Sequence, residues 1–189
     1  MAGTDPYHSI FMVTGPVQGG KSTFLSTLVE LLRKEGKTVE GFLCPGTFSS
    51  GRRSGFKLTR IRTGMQVPMA SDREKEGWFS YRRFWFNPDA FYQGRKWIES
   101  SLEKQPEVLV IDEVGPMELE GSGWSGTLDM LTERKGMVQL WSVREQVLSE
   151  VIKHWGIKAG NVIDIERETP LSAMERIRQS MKLKQSKQE

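Results

Sequence analysis

The chain has 189 residues, 37% of them hydrophobic and 27% charged, with a formal net charge of +3. This balance excludes a disordered chain and a protein that coats nucleic acid, and it suffices to bury the core of one domain spanning residues 1–189. A single cysteine, Cys44, and two histidines, His8 and His154, exclude an internal disulfide and leave no zinc constellation.

The opening MAGTDPYHSIFMV lacks the basic and long apolar regions of a secretion signal, and no window reaches the roughly 20 apolar residues of a bilayer-spanning helix. A cytoplasmic protein with no membrane partner is expected. Ser9 to Thr14 (SIFMVT) is short, apolar and closed by Gly15-Pro16, which predicts a strand buried on both faces. From Lys21, Phe24, Leu25, Leu28, Val29, Leu31 and Leu32 recur at helical spacing until Gly36 ends the pattern.

Lys37 to Cys44 reads as a second strand, with Cys44 a small packing residue at its end. Gly51 to Gly55 (GRRSG) then separates two extended segments that pair as a hairpin, inside a hairpin and aromatic-rich insertion over about residues 45–87. Arg52, Arg53, Lys57, Arg60 and Arg62 form either a solvated hairpin face or an attractor for phosphate. Between Trp78 and Trp97 lie Phe79, Tyr81, Phe84, Trp85, Phe86, Phe91 and Tyr92, rings expected in the core or over a cleft.

Asn87-Pro88-Asp89 marks a helix start, and Phe91, Trp97, Ile98 and Leu102 continue along one face. The run Val108 to Ile111 has the unbroken apolarity of a buried parallel strand. Met137–Trp141 and Asn161–Ile165 read as strands, Val147–Trp155 and Pro170–Met181 as helices, and residues 182–189 as a frayed polar tail. Strands alternating with helices predict an α/β fold whose central sheet is mainly parallel and flanked by helices in three layers.

Gly15-Pro16-Val17-Gln18-Gly19-Gly20-Lys21-Ser22 satisfies the phosphate-loop (Walker A) pattern G-x-x-x-x-G-K-[ST], and Thr23 follows it into the helix. Four constrained positions match by chance in a chain this long on the order of once in a hundred sequences. The glycines let backbone N–H groups close on phosphate oxygens, with the positive end of the helix dipole behind them. Lys21 carries charge to the β- and γ-phosphates, and the Ser22 hydroxyl is a ligand for Mg²⁺.

Asp112 and Glu113 end the apolar strand, ninety residues beyond Ser22. A charge at the end of a buried strand needs a partner, so Asp112 reads as the second Mg²⁺ residue, the Walker B carboxylate. Glu113 is placed to align a water for attack on the γ-phosphorus, the alternatives being a second metal-sphere ligand or a structural ion pair. Glu118 stands either near the site or on a surface helix turn.

The segments VTGPVQGGKSTFL, GRRSGFKL and IDEVGPMELE resemble the family of cancer-related and thermophilic nucleoside-triphosphatases, over about residues 9–165. The resemblance implies a RecA-like P-loop fold and slow, Mg²⁺-dependent conversion of NTP to NDP and phosphate, with ATP or GTP as partner and loose choice of base. It puts the loop lysine and hydroxyl on Lys21 and Ser22, and the acidic pair on Asp112 and Glu113. It also puts an arginine that approaches the γ-phosphate on Arg144, whose alternative is a surface residue at a helix start. Where the family commonly carries lysine this chain has Pro116, and Arg52, Arg53, Arg82 and Arg83 are the candidates to replace that charge.

A P-loop kinase for nucleosides or small molecules shares this site, with the segment from Trp78 to Trp97 binding the acceptor. A nucleotide-binding regulatory module with little turnover does so too. Trp155 and the rings around Trp85 are candidates to stack on the base, core packing being the commoner fate of such residues. No specific nucleic-acid partner is expected, and the sequence does not fix the oligomeric state.

Overall fold

The computed structural model describes residues 9–185. The elements in chain order are β1 (Ser9–Thr14), α1 (Lys21–Lys34), β2 (Val39–Leu43), β3 (Gly46–Ser49), β4 (Arg52–Arg60), β5 (Gln66–Ser71), β6 (Phe79–Tyr81) and β7 (Phe84–Phe86). They continue with α2 (Pro88–Leu102), β8 (Val108–Val114), α3 (Pro116–Leu119), α4 (Ser125–Thr132), β9 (Val138–Val143), α5 (Leu148–His154), β10 (Val162–Asp164) and α6 (Pro170–Gln185).

All the described strands join one sheet in the order β10-β1-β9-β8-β2-β4-β5-β7-β6, with β3 paired to β4. The pairs β1/β10, β1/β9, β8/β9 and β2/β8 are parallel. From β2/β4 onward every pairing is antiparallel. The sheet is therefore mixed rather than mainly parallel. The parallel strands are joined through helices, whereas the chain between Gly46 and Phe86 has only short turns and doubles back on itself.

Side chains alternate across the parallel strands, and both faces are covered. Ile10 and Met12 of β1 and Leu109 and Ile111 of β8 join one apolar cluster with Phe91, Trp97 and Ile98 of α2, Leu128 and Leu131 of α4 and Val151 of α5. Phe11, Val13, Val108 and Val110 point the other way, into a cluster with Leu25, Leu28 and Leu32 of α1 and Ala173 and Ile177 of α6. The unbroken apolar runs of β1 and β8 follow from this burial on two sides.

Asn87 caps α2 by accepting the Asp89 N–H at 3.0 Å, with Pro88 at the first helical position. The turn between β3 and β4 falls at Ser50-Gly51, so Arg52 to Gly55 lie within β4 rather than between the strands. Helix α6 runs to Gln185, which places residues 182–185 in a helix rather than a frayed tail; residues 186–189 lie outside those described. His8 and the opening segment through residue 8 also lie outside them. No helix among the described residues is long and apolar enough to cross a membrane.

Gly41 sits in β2 with φ +109°, and a Cβ there would lie 2.1 Å from the Val110 carbonyl oxygen of β8. That oxygen, like the Val110 N and C within 2.9 Å, belongs to paired backbone and cannot yield as a side-chain tip does. Gly41→Ala is expected to cost about 3 kcal/mol through overpacking and left-handed strain, read as a lower midpoint in urea unfolding.

Candidate functional site

The loop after β1 wraps back on itself: Gly19 N–H donates to the Pro16 carbonyl at 2.9 Å, and Gln18 adopts φ +61° despite its side chain. Gly20, at φ +94°, turns the chain into α1, whose first-turn N–H groups then face the loop. Val17, Gln18, Gly19, Gly20 and Thr23 are exposed, Pro16, Lys21 and Ser22 are half-buried, and Gly15 is buried. Lys21 Nζ donates to the carbonyls of Gly15 and Pro16 at 3.0 and 2.9 Å, and burial pulls its pKa below the usual lysine value.

Asp112 is wholly buried, and each carboxylate oxygen has two donors. Oδ2 accepts from the Ser22 hydroxyl at 3.1 Å and from the Cys44 N–H at 2.8 Å. Oδ1 accepts from the Glu113 N–H at 3.0 Å and from the Ser142 hydroxyl, through a short contact. The structure thus brings Ser22 and Asp112 together across the ninety residues between them. Cys44 is buried with its thiol pushed far above its ordinary pKa, first by desolvation, which leaves it a packing residue.

Glu113 breaks the regularity of β8. Its φ is +68°, and the register with β9 shifts between Ile111 and Val114. Its N–H donates to Ser142 Oγ at 3.0 Å as well as to Asp112, and these bonds hold the strained backbone. The twist aims the side chain outward, where it meets Arg144 Nη2 at 3.3 Å. Burial, and then the neighbouring Asp112 charge, raises the Glu113 pKa despite Arg144. Arg144 follows β9 and packs over Gly115, so it is not a residue of the open surface.

Lys21, Glu113 and Arg144 line a cleft of about 410 Å³, together with Val17, Gln18 and Pro116, among others. Arg53, Arg82 and Arg83 line it too, which puts three of the four arginines named for the missing lysine beside Pro116; Arg52 is absent from the lining. The basic run therefore divides. Arg60 bonds to Ser100 at 2.7 Å and Arg62 pairs with Glu40 at 3.6 Å, both away from the cleft. Trp155 packs edge-on against Trp141 and bonds Asp129, and Trp85 is not in the lining either, so neither stacks here.

Glu118 is not a surface residue. It is 3% exposed and lines the cleft, its Oε2 accepting the Gly115 N–H at 2.8 Å and its Oε1 the Trp124 N–H at 3.2 Å. Burial pushes its carboxyl up to about 7. Ser142 was not singled out from the sequence as a member of the site. It carried one signal, a hydroxyl inside an otherwise apolar strand buried on both faces.

A family model described as NTPase matches residues 10–177, and the chain belongs to that family. The nucleoside-triphosphatase THEP1 of Ignicoccus hospitalis is 35% identical over 111 residues, which cover 57% of this chain and 60% of that protein. The matched stretch thus spans about three-fifths of that relative's length. Among solved structures, a human cancer-related nucleoside triphosphatase superposes with TM-score 0.62 at 20% identity, covering 95% of this chain and 98% of that one. THEP1 from Aquifex aeolicus superposes with TM-score 0.61 at 18% identity over 82% and 87% of the two chains. Both superpositions show that this chain shares their overall fold.

Two stability effects follow from the geometry. Ser142→Ala removes a donor to the buried Asp112 and an acceptor for Glu113, and is expected to cost about 2 kcal/mol in chemical denaturation. Glu118 holds its proton more tightly folded than unfolded, so its contribution is complete below about pH 4.5 and is lost as pH rises through about 7. Glu118→Gln is expected to be less stable than the parent at pH 5, because an amide N–H₂ faces a backbone N–H. Its stability should nevertheless fall less steeply between pH 5 and 8 when urea midpoints are compared.

Proposed function

We propose that the protein is a Mg²⁺-dependent nucleoside triphosphatase that converts NTP, with ATP and GTP among its substrates, to NDP and phosphate. The observation that carries this reading is the 3.1 Å contact between Ser22 Oγ and Asp112 Oδ2, whose chain neighbours Lys21 and Glu113 line the cleft. Family membership and the names of the relatives support it. The strand order β10-β1-β9-β8-β2, with one strand between the loop-bearing β1 and the acid-bearing β8, supports a RecA-like arrangement. The continuous sheet supports a single domain over the described residues 9–185, with β3 to β7 as its hairpin and aromatic-rich insertion.

The residues present fit Mg²⁺. They offer a hydroxyl and a carboxylate, both hard oxygen donors, and no group of three or more His, Cys, Asp or Glu among the described residues forms a cage of its own. This suits an ion that takes most of its ligands from phosphates and water. Ser22 and Asp112 are the residues that would hold it, the hydroxyl and the carboxylate each offering an oxygen. When bound, Mg²⁺ offsets the charge of the β- and γ-phosphates.

The chain's own groups do the rest. Gly15 to Thr23 supply backbone donors to the polyphosphate, and Lys21 exchanges the carbonyls of Gly15 and Pro16 for phosphate oxygens. Glu113, made more basic by burial, accepts a hydrogen bond from the attacking water and aligns it with the γ-phosphorus. Arg144 stabilises charge on the transferring phosphoryl group as it develops. The one cysteine, buried and unreactive, accords with a reducing cytoplasmic setting.

The test is phosphate release by the full chain with Mg²⁺ and each common NTP. Lys21→Ala is expected to abolish most nucleotide binding. Glu113→Gln is expected to keep binding while lowering kcat about 10²- to 10⁴-fold. Parent-like turnover in the glutamine variant would remove the water-positioning role, and binding without phosphate release in the parent would remove the hydrolase reading.

A further inference from the structure

Behind Glu113 the chain leaves the sheet under an unusual restraint. The ladder with β2 ends at the Phe42/Ile111 pair, so beyond Ile111 strand β8 keeps a ladder partner on its β9 side alone, where Val114 pairs with Val143. Asp112 and Ser142 hold the Glu113 N–H at one end of the turn. Glu118 holds the other end: its Oε2 accepts the Gly115 N–H at 2.8 Å, and its Oε1 reaches past α3 to the Trp124 N–H at 3.2 Å. Trp124 is a firm anchor, wholly buried with its ring centroid 4.5 Å from Phe42 and 4.8 Å from Phe91.

Helix capping alone does not account for this arrangement. α3 has four residues, and a helix that short gains little from one capped N–H. Against that gain stands the cost of burying a carboxylate, which is 3% exposed and whose pKa burial pushes up to about 7, with the Glu113 charge adding to the rise. The chain is shaped around it. At Gly123, φ +59°, a Cβ would lie 2.3 Å from Glu118 Oε1, so a residue without a side chain is what leaves room for that oxygen. The turn so held has two functional groups resting on it. A Cβ at Gly115 would lie 3.3 Å from Arg144 Nε, and Arg144, whose N–H donates to the Val114 carbonyl at 3.2 Å, places Nη2 3.3 Å from Glu113 Oε2.

We infer that Glu118 is a positioning residue for hydrolysis: by clamping Gly115 to Trp124 it fixes the backbone that aims the Glu113 carboxylate and seats Arg144. The inference rests on the proposed water-aligning role of Glu113, through which Glu118 acts. With the clamp in place, the Glu113 carboxylate holds its orientation before nucleotide arrives, and the water it aligns needs no further ordering of the protein. With the clamp released, the left-handed backbone at Glu113 keeps its bonds to Asp112 and Ser142 but loses the fixed point two residues on, and it relaxes. The phosphate loop is held by other contacts, those of Lys21 to the Gly15 and Pro16 carbonyls and of Ser22 to Asp112, so nucleotide binding survives the loss.

The experiment is a double-mutant cycle on the full chain. Phosphate release from ATP with Mg²⁺ is measured for the parent, Glu118→Gln, Glu113→Gln and the double variant, along with the Kd of a non-hydrolysable ATP analogue for each. Glu118→Gln is expected to lower kcat about ten- to hundredfold with Kd unchanged. In the Glu113→Gln background the same substitution should lower kcat by no more than about a further twofold, because the group it positions is gone. Gly123→Ala, which pushes the carboxylate from its seat without removing it, should reproduce both results, and it takes the place of Glu118→Gln if that variant does not fold. Ile177→Val, at a buried position on the opposite face of the sheet, loses stability without touching the turn and should keep the parent kcat. An equal loss in both backgrounds, or a weakened Kd, overturns the inference, since Glu118 would then support the fold at large. So does parent-like kcat in a folded Glu118→Gln variant. A parent that releases no phosphate, or parent-like turnover by Glu113→Gln, removes the water-aligning step and this inference with it; either result shows before Glu118 is altered, so the two failures are distinguishable.

Discussion

The Asp112 carboxylate is the joint on which the site is assembled. A fully buried anion is tolerated only when its lone pairs are met, and here the four donors come from four places in the chain: Ser22 at the start of α1, Cys44 at the end of β2, Glu113 beside it and Ser142 on β9. Those contacts tie the phosphate loop, the acidic strand and the strand between them into one geometry. They also fix the unusual backbone at Glu113, because the N–H that left-handed residue presents is bonded to Asp112 and Ser142 alike. Removing the carboxylate would therefore loosen the loop and the glutamate together.

The parallel half of the molecule was legible because its physics is local. β1 and β8, buried on both faces, leave unbroken apolar runs; α1 and α2 leave helical periodicity; Asn87-Pro88 is a helix start by residue type. The loop was legible because glycines and a lysine at that fixed spacing, between a buried strand and a helix, suit a bound phosphate and little else. Strand ends were less so: β8 continues through both carboxylates to Val114 and β9 to Val143, because pairing between neighbours rather than composition sets where a ladder stops.

The antiparallel half was harder to read. β6 and β7 are only three residues long, and with β5 they alternate weakly because this end of the sheet also contributes to the wall of a cleft. α4 was missed because Gly121, Ser122, Gly123 and Gly126 around it read as loop, while Trp124, buried against Phe42 and Phe91, is what anchors it. Glu118 illustrates a limit of pattern reading: a glutamate in a short helical turn is ordinarily solvated, and only the fold brings the N–H groups of Gly115 and Trp124 to both of its oxygens. Ser142 is the complementary case, a polar residue whose oddity was present in the sequence but whose partners were not.

One strand crosses the whole boundary between these halves. β4 pairs with β2 at Arg60 and Thr59 and, without an intervening loop, reaches the cleft wall at Phe56 and Arg53. A wall attached in this way cannot swing open on a hinge as a lid does, since any such motion would tear the ladder that joins it to the phosphate-bearing sheet. What borders the cleft on this side is instead a set of long cationic side chains, those of Arg53, Arg82 and Arg83. Selectivity in such a vestibule comes from what those chains will make room for, not from a closing step.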